Sequence, residues 1–218
     1  KGLDLPESAP VAYFAGCVAS YKYPKIARSA AAILKAAKVD FTILGTNEWC
    51  CGNRAFQAGN VKMAKGMAEH NTKALEEMGV QELVVSCAEG FHHFKKNYVT
   101  ILGREPEFRV THLSEYIDKL IAEKKIAFRN ETGEENIVYI DPCTLGRKEG
   151  IYEVPRKILD AVPGVKRMEL KRNRAASWCC GAGEGIVMAA RPDLSLSIAQ
   201  DTIDELAGSD GKAIVTTC

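Results

Sequence analysis

No apolar stretch among the 218 residues approaches the roughly 20 that a bilayer-spanning helix needs, and no signal peptide opens the chain. The expected location is therefore cytoplasmic, with membrane association through a partner subunit. Charge of one sign is missing too. Lys and Arg total 29 against 28 Asp and Glu, a net charge of +1, which gives no electrostatic case for nucleic acid or an anionic membrane. Nor is there a Cys-x-x-Cys pair, the spacing favoured by thiol–disulfide oxidoreductases and close to that of structural zinc knuckles. What remains is an ordinary globular composition, 46% hydrophobic and 26% charged, long enough for two small domains.

The cysteines carry the pattern. Cys-Cys-Gly occurs twice, at Cys50-Cys51-Gly52 and Cys179-Cys180-Gly181, each time with one cysteine well upstream and one well downstream. The sets Cys17, Cys50, Cys51, Cys87 and Cys143, Cys179, Cys180, Cys218 use all eight cysteines. The upstream gaps hold 32 and 35 residues, and the downstream gaps 35 and 37. Duplication at this period implies two supersecondary units of similar fold, each assembling its own ligand set. The expected boundaries are 1–130 for the first unit, a polar linker over 130–136, and 137–218 for the second. Lys1 is not a Met, and Cys218 closely follows the apolar run Ala213-Ile214-Val215, so a segment of a longer protein is expected.

Within the first unit, Val11 to Cys17 reads as a buried strand delivering a cysteine, Pro24 to Lys38 as a helix, and Phe41 to Leu44 as a strand. A long helix is expected from about Phe56 to Met78 with Gly79 as its cap, then a strand Leu83 to Cys87. Helical pieces around His92 to Tyr98 and Leu113 to Lys124 flank a strand at Arg109 to Thr111. The second unit repeats the order: strand Ile137 to Ile140, helix Val154 to Ala161, strand Val165 to Leu170, helix Pro192 to Ala207, strand Ala213 to Val215. The fold class is α/β: two pseudo-symmetric Rossmann-like units, each a small parallel sheet flanked by helices. Ligands collect at the carboxyl edge of such sheets, so the cysteines of each unit should converge there.

Four thiolates in a reducing compartment suit zinc or iron-sulfur clusters. Two adjacent cysteines do not easily wrap one small ion but can ligate different irons of a larger cluster. That favours iron-sulfur, with zinc left open for the first site. Gly52, Gly181, Gly183 and Gly185 allow backbone amides to approach an anionic centre and donate to it. Disulfides fit poorly without a secretory signal, and a redox pair of neighbouring cysteines is strained.

The double motif resembles the cysteine-rich CCG domain family, which includes the B and D subunits of heterodisulfide reductase and the iron-sulfur subunit of glycolate oxidase. Asp141 to Arg147, and Arg172-Asn173-Arg174 leading into Cys179-Cys180-Gly181-Ala182-Gly183, are similar to the D-type proteins. The resemblance implies that all eight cysteines are metal ligands. It further implies [4Fe-4S] clusters, noncubane where five cysteines are present, electron transfer with reduction of a disulfide, and flavin- or ferredoxin-type partner subunits. The chain departs from the pattern at Gly90, where a fifth cysteine of the first unit would stand. The equivalent position of the second unit lies beyond Cys218, so disulfide chemistry is expected at Cys143, Cys179, Cys180 and Cys218. His92 and His93 are candidates to replace the missing ligand, and Glu184 places a carboxylate near the second site. The competing reading is a zinc-containing docking subunit without redox activity.

Overall fold

Val11-Ala12-Tyr13-Phe14 is apolar at every position, the signature of a strand covered on both faces, and it forms β1 (Val11–Phe14) inside an all-parallel sheet. The computed structural model describes residues 4–128 and 133–218. The chain divides into two compact units, 1–126 and 127–218. The expected linker falls partly outside the described residues, and its last members, Glu135 and Asn136, already belong to a strand.

In the first unit the strand order is β2 (Phe41–Thr42), β1, β3 (Glu82–Val85), β4 (Arg109–His112). Helix α1 (Pro24–Ala36) starts on a proline, whose fixed φ suits a first helical turn. It buries Ala30, Ala31 and Leu34 against Tyr13, Phe41, Val84, Tyr116 and Leu120. The long helix expected from Phe56 to Met78 is in fact two: α2 (Asn53–Gln57) and α3 (Val61–Glu77). Gly59 between them adopts φ +80°, and Asn60 caps α3 by accepting the Met63 amide at 3.1 Å. Gly79 ends α3 as expected: its amide and that of Val80 return to Glu76 and Leu75, the paired bonds of a glycine C-cap. Helices α4 (Ala88–His92) and α5 (Tyr98–Leu102) follow β3, joined by a π-helical turn, so this helical run begins four residues before the expected His92. Helix α6 (Leu113–Ala122) closes the unit.

The second unit has the order β6 (Val165–Glu169), β5 (Glu135–Tyr139), β7 (Ala213–Val215), again all parallel. That is the arrangement of β2, β1 and β3. Its helices are α7 (Glu153–Asp160), α8 (Ile186–Ala190) and α9 (Pro192–Ala207). Arg156 on α7 is buried and makes two-pronged ion pairs with Asp141, at 2.6 and 2.7 Å, and with Glu169, at 2.7 and 2.9 Å. A buried charge persists only when paired in this way. The network fixes the β5 end that leads into Pro142-Cys143. Among the described residues no helix is long and apolar enough to cross a membrane.

Candidate metal centres

Every cysteine follows the carboxyl end of a strand. Cys17 and Cys143 come after β1 and β5, the Cys-Cys pairs lie in the loops after β2 and β6, and Cys87 and Cys218 come after β3 and β7. Cys17 and Cys143 are each followed by a five-residue π-helical turn, Val18–Lys22 and Thr144–Lys148. Such turns are rare and concentrate at functional sites. None of the eight cysteines is in a disulfide.

In the first unit the thiols of Cys17, Cys50 and Cys51 act on one another's protonation. The Cys50 thiol, reinforced by burial, holds the Cys17 pKa well above the ordinary thiol value. Cys50 is lowered by Cys17 but raised more by Cys51 and burial, for a net rise. Burial raises Cys87, whose sulfur accepts the Gly90 amide at 3.4 Å and caps α4. The Cys-Cys loop is pinned from three sides. Glu48 accepts the amides of Ala15 and Gly16 at 3.0 and 2.8 Å, tying this loop to the one that carries Cys17. Asn71, buried on α3, accepts the Trp49 amide at 3.1 Å and donates to the Cys50 carbonyl at 3.1 Å. Tyr98 donates to the Cys51 carbonyl at 2.9 Å. A cavity of about 350 Å³ opens at this edge, lined among others by Cys17, Tyr21, Glu48, Trp49 and Cys50.

The second unit performs the same pinning with different groups. Arg147, in the turn after Cys143, donates to the Ser177 carbonyl at 2.7 Å, and the Ser177 hydroxyl donates to the Asp141 carbonyl at 3.3 Å. Thr202 on α9 donates to the Cys179 carbonyl at 3.3 Å, as Asn71 on α3 does to Cys50. Cys143 lies 3.9 Å from the Thr144 hydroxyl.

The glycines after the pairs have a double role. The Gly52 amide lowers the Cys50 pKa, and Gly181 donates to the Cys179 sulfur at 3.4 Å. Both adopt a left-handed backbone, φ +89° and +81°, beneath the first turns of α3 and α9. A Cβ would stand 3.3 Å from the Ala64 carbonyl at Gly52 and 2.2 Å from the Ser195 carbonyl at Gly181. Gly183, also at positive φ, packs instead against Val187, so close approach of that side chain is what its missing Cβ permits.

Sequence reasoning passed over Glu48, Asn71, Tyr98 and the two tryptophans. Trp49 and Trp178 each precede Cys-Cys-Gly, a repeat visible in the sequence. Each ring carries a cationic or titratable partner: His70 stacks on Trp49 at 3.9 Å, and the Arg172 guanidinium sits 4.0 Å from Trp178. His93 is fully buried, bonded through Nδ1 to Asn97 and packed against Phe56 and Tyr98. That is the setting of a core side chain. Glu184 is ion-paired with Lys148, which balances its charge beside the second site.

Among the described residues, no group of three or more His, Cys, Asp or Glu is gathered tightly enough to hold a single metal ion. The first-unit zinc expectation gains nothing from this geometry. A set of soft thiol donors fits a multi-iron cluster better, since each iron of a cluster takes its own sulfur ligand.

The cysteine-rich CCG domain profile matches residues 11–95 and 137–218, one copy in each unit. The chain is 35% identical to the D-type subunit of the dihydromethanophenazine:CoB–CoM heterodisulfide reductase of Methanosarcina acetivorans, covering 99% of this chain and 53% of that protein. The D-type subunit of the Methanosarcina mazei enzyme gives the same three figures. The EtfAB:quinone oxidoreductase of Syntrophomonas wolfei is 30% identical over 94% of this chain and 29% of its own length. The chain thus spans about half the length of the two Methanosarcina relatives. Two profile matches, each laid over one parallel-sheet unit and its four strand-end thiols, make this chain a member of the CCG cysteine-rich domain family.

Proposed function

We propose that this chain is the iron-sulfur component of an oxidoreductase complex, with one cluster held in each unit. The observation that carries the reading is the repetition of four strand-end cysteines outside any disulfide, each Cys-Cys loop pinned by side chains from its own unit. Cys17, Cys50, Cys51 and Cys87 would hold the first cluster, and Cys143, Cys179, Cys180 and Cys218 the second. A bound cluster supplies reversible one-electron chemistry. The amides of Gly90 and Gly181 already donate to cysteine sulfurs, and donors of that kind raise the potential of an anionic cluster.

The relatives named as heterodisulfide reductase and EtfAB:quinone oxidoreductase support a partner subunit that delivers or removes electrons, of the flavin or ferredoxin type. The first unit offers four thiolates and no fifth, which suits a [4Fe-4S] cubane. We assign disulfide reduction to the second unit, whose Cys180 is exposed to an incoming substrate. The test is iron, sulfide and zinc analysis of anaerobically purified protein. Iron with stoichiometric sulfide is the expected result, and zinc without iron contradicts it.

A further inference from the structure

Acidic residues are sparse along the stretch that carries Cys17, Cys50 and Cys51. From Ser8 to Ala68 there are eight Lys and Arg but only two acids, Asp40 and Glu48, in a protein whose net charge is +1. Glu48 is turned inward onto the Ala15 and Gly16 amides. The π-helical turn after Cys17 and the start of α1 expose Tyr21 at 89% and Tyr23 at 52%, with Lys22, Lys25, Ile26 and Arg28 exposed around them. Tyr21 and the half-exposed Trp49 line the cavity at Cys17 and Cys50. Exposed aromatics with cations beside them, one of them at the mouth of the cysteine-lined cavity, are poorly explained by folding, since nothing in the unit covers them. Aromatic and arginine side chains dominate binding energy at protein interfaces, and a one-signed rim steers an oppositely charged partner.

We infer that this face of the first unit docks an acidic redox protein, which caps the cavity and brings its own electron carrier to the Cys17–Cys50 edge. An acidic protein is favoured over an anionic membrane because the exposed cations Lys22, Lys25 and Arg28 follow closely on Tyr21, which lines the Cys17–Cys50 cavity, where an electron would enter or leave. The inference rests on the redox reading for its purpose, but the docking itself is measured as binding.

The probe is an acidic ferredoxin titrated by calorimetry into the anaerobically purified protein. The dissociation constant should weaken at least about tenfold between about 50 and 200 mM salt, as screening of a charged encounter requires. The triple variant Lys22→Glu, Lys25→Glu, Arg28→Glu should weaken binding by about tenfold or more, and Tyr21→Ala by about fivefold, with circular dichroism and metal content unchanged. Lys73→Glu, outside the acid-poor stretch, should bind as the parent does. Unchanged binding by the triple variant and by Tyr21→Ala overturns the inference. So does tight binding to phosphatidylglycerol vesicles with none to the ferredoxin. Absence of iron would defeat the proposed function and leave these affinities as a separate readout of the docking face.

Discussion

The hydroxyl of Tyr13 hydrogen-bonds the hydroxyl of Ser86 at 3.0 Å, one residue before Cys87. Tyr139 bonds Thr217 in the same way at 3.1 Å, one residue before Cys218. Each unit thus ties the first strand, which leads to one cysteine, to the residue that introduces another. Burial raises both tyrosine pKa values, that of Tyr139 to about 12, so each phenol stays protonated at neutral pH.

Replacing Tyr13 or Tyr139 by Phe removes that link with little change of volume. Each change should cost about 1 kcal/mol in denaturant unfolding, the usual net value of one hydrogen bond. A larger loss would mean that the ring itself is displaced.

The glycines after the cysteine pairs should not be equally replaceable. Gly181→Ala meets both a left-handed backbone and the Ser195 carbonyl at 2.2 Å, whereas Gly52→Ala meets the Ala64 carbonyl at 3.3 Å. The first should lose more than about 2 kcal/mol and the second about 1 to 2 kcal/mol, the strain of an alanine at positive φ. Thermal or urea unfolding of the two variants checks the order, and equal losses would contradict it.

His112 titrates against the fold. It is buried at the end of β4, where its Nδ1 accepts the Ser114 amide at 3.2 Å and caps α6, and burial lowers its pKa from 6.5 to about 4. The unfolded chain therefore takes up a proton near pH 6.5 while the folded chain refuses it. Stability from this group is complete above pH 6.5 and drains away as pH falls toward 4, by about 3 kcal/mol in all. His112→Asn keeps a capping side chain and should flatten that part of the stability profile, read from urea unfolding at a series of pH values. A slope that survives the substitution would place its origin elsewhere.

The strands and the duplication were legible because apolar runs and cysteine spacing are periodic signals, and β7 and α9 stand where the sequence put them. The break between α2 and α3 was legible in principle from Gly59-Asn60, a turn residue followed by a helix cap, but the apolar spacing running past it masked the stop. The pinning groups were not legible. Glu48 reaches back to Gly16, and Tyr98 to Cys51, through contacts between distant segments that leave no local pattern. The two units also pin equivalent carbonyls with different side chains, Asn71 in one and Thr202 in the other, so the repeat conceals that shared task.

The most direct test of one cluster per unit is low-temperature electron paramagnetic resonance, with iron counting, on the anaerobically reconstituted protein and its Cys50→Ser and Cys179→Ser variants. Two separable iron-sulfur signals are expected, with Cys50→Ser altering or abolishing one and Cys179→Ser the other, each leaving its counterpart intact. Iron-free protein, or signals that survive both substitutions unchanged, would contradict the assignment.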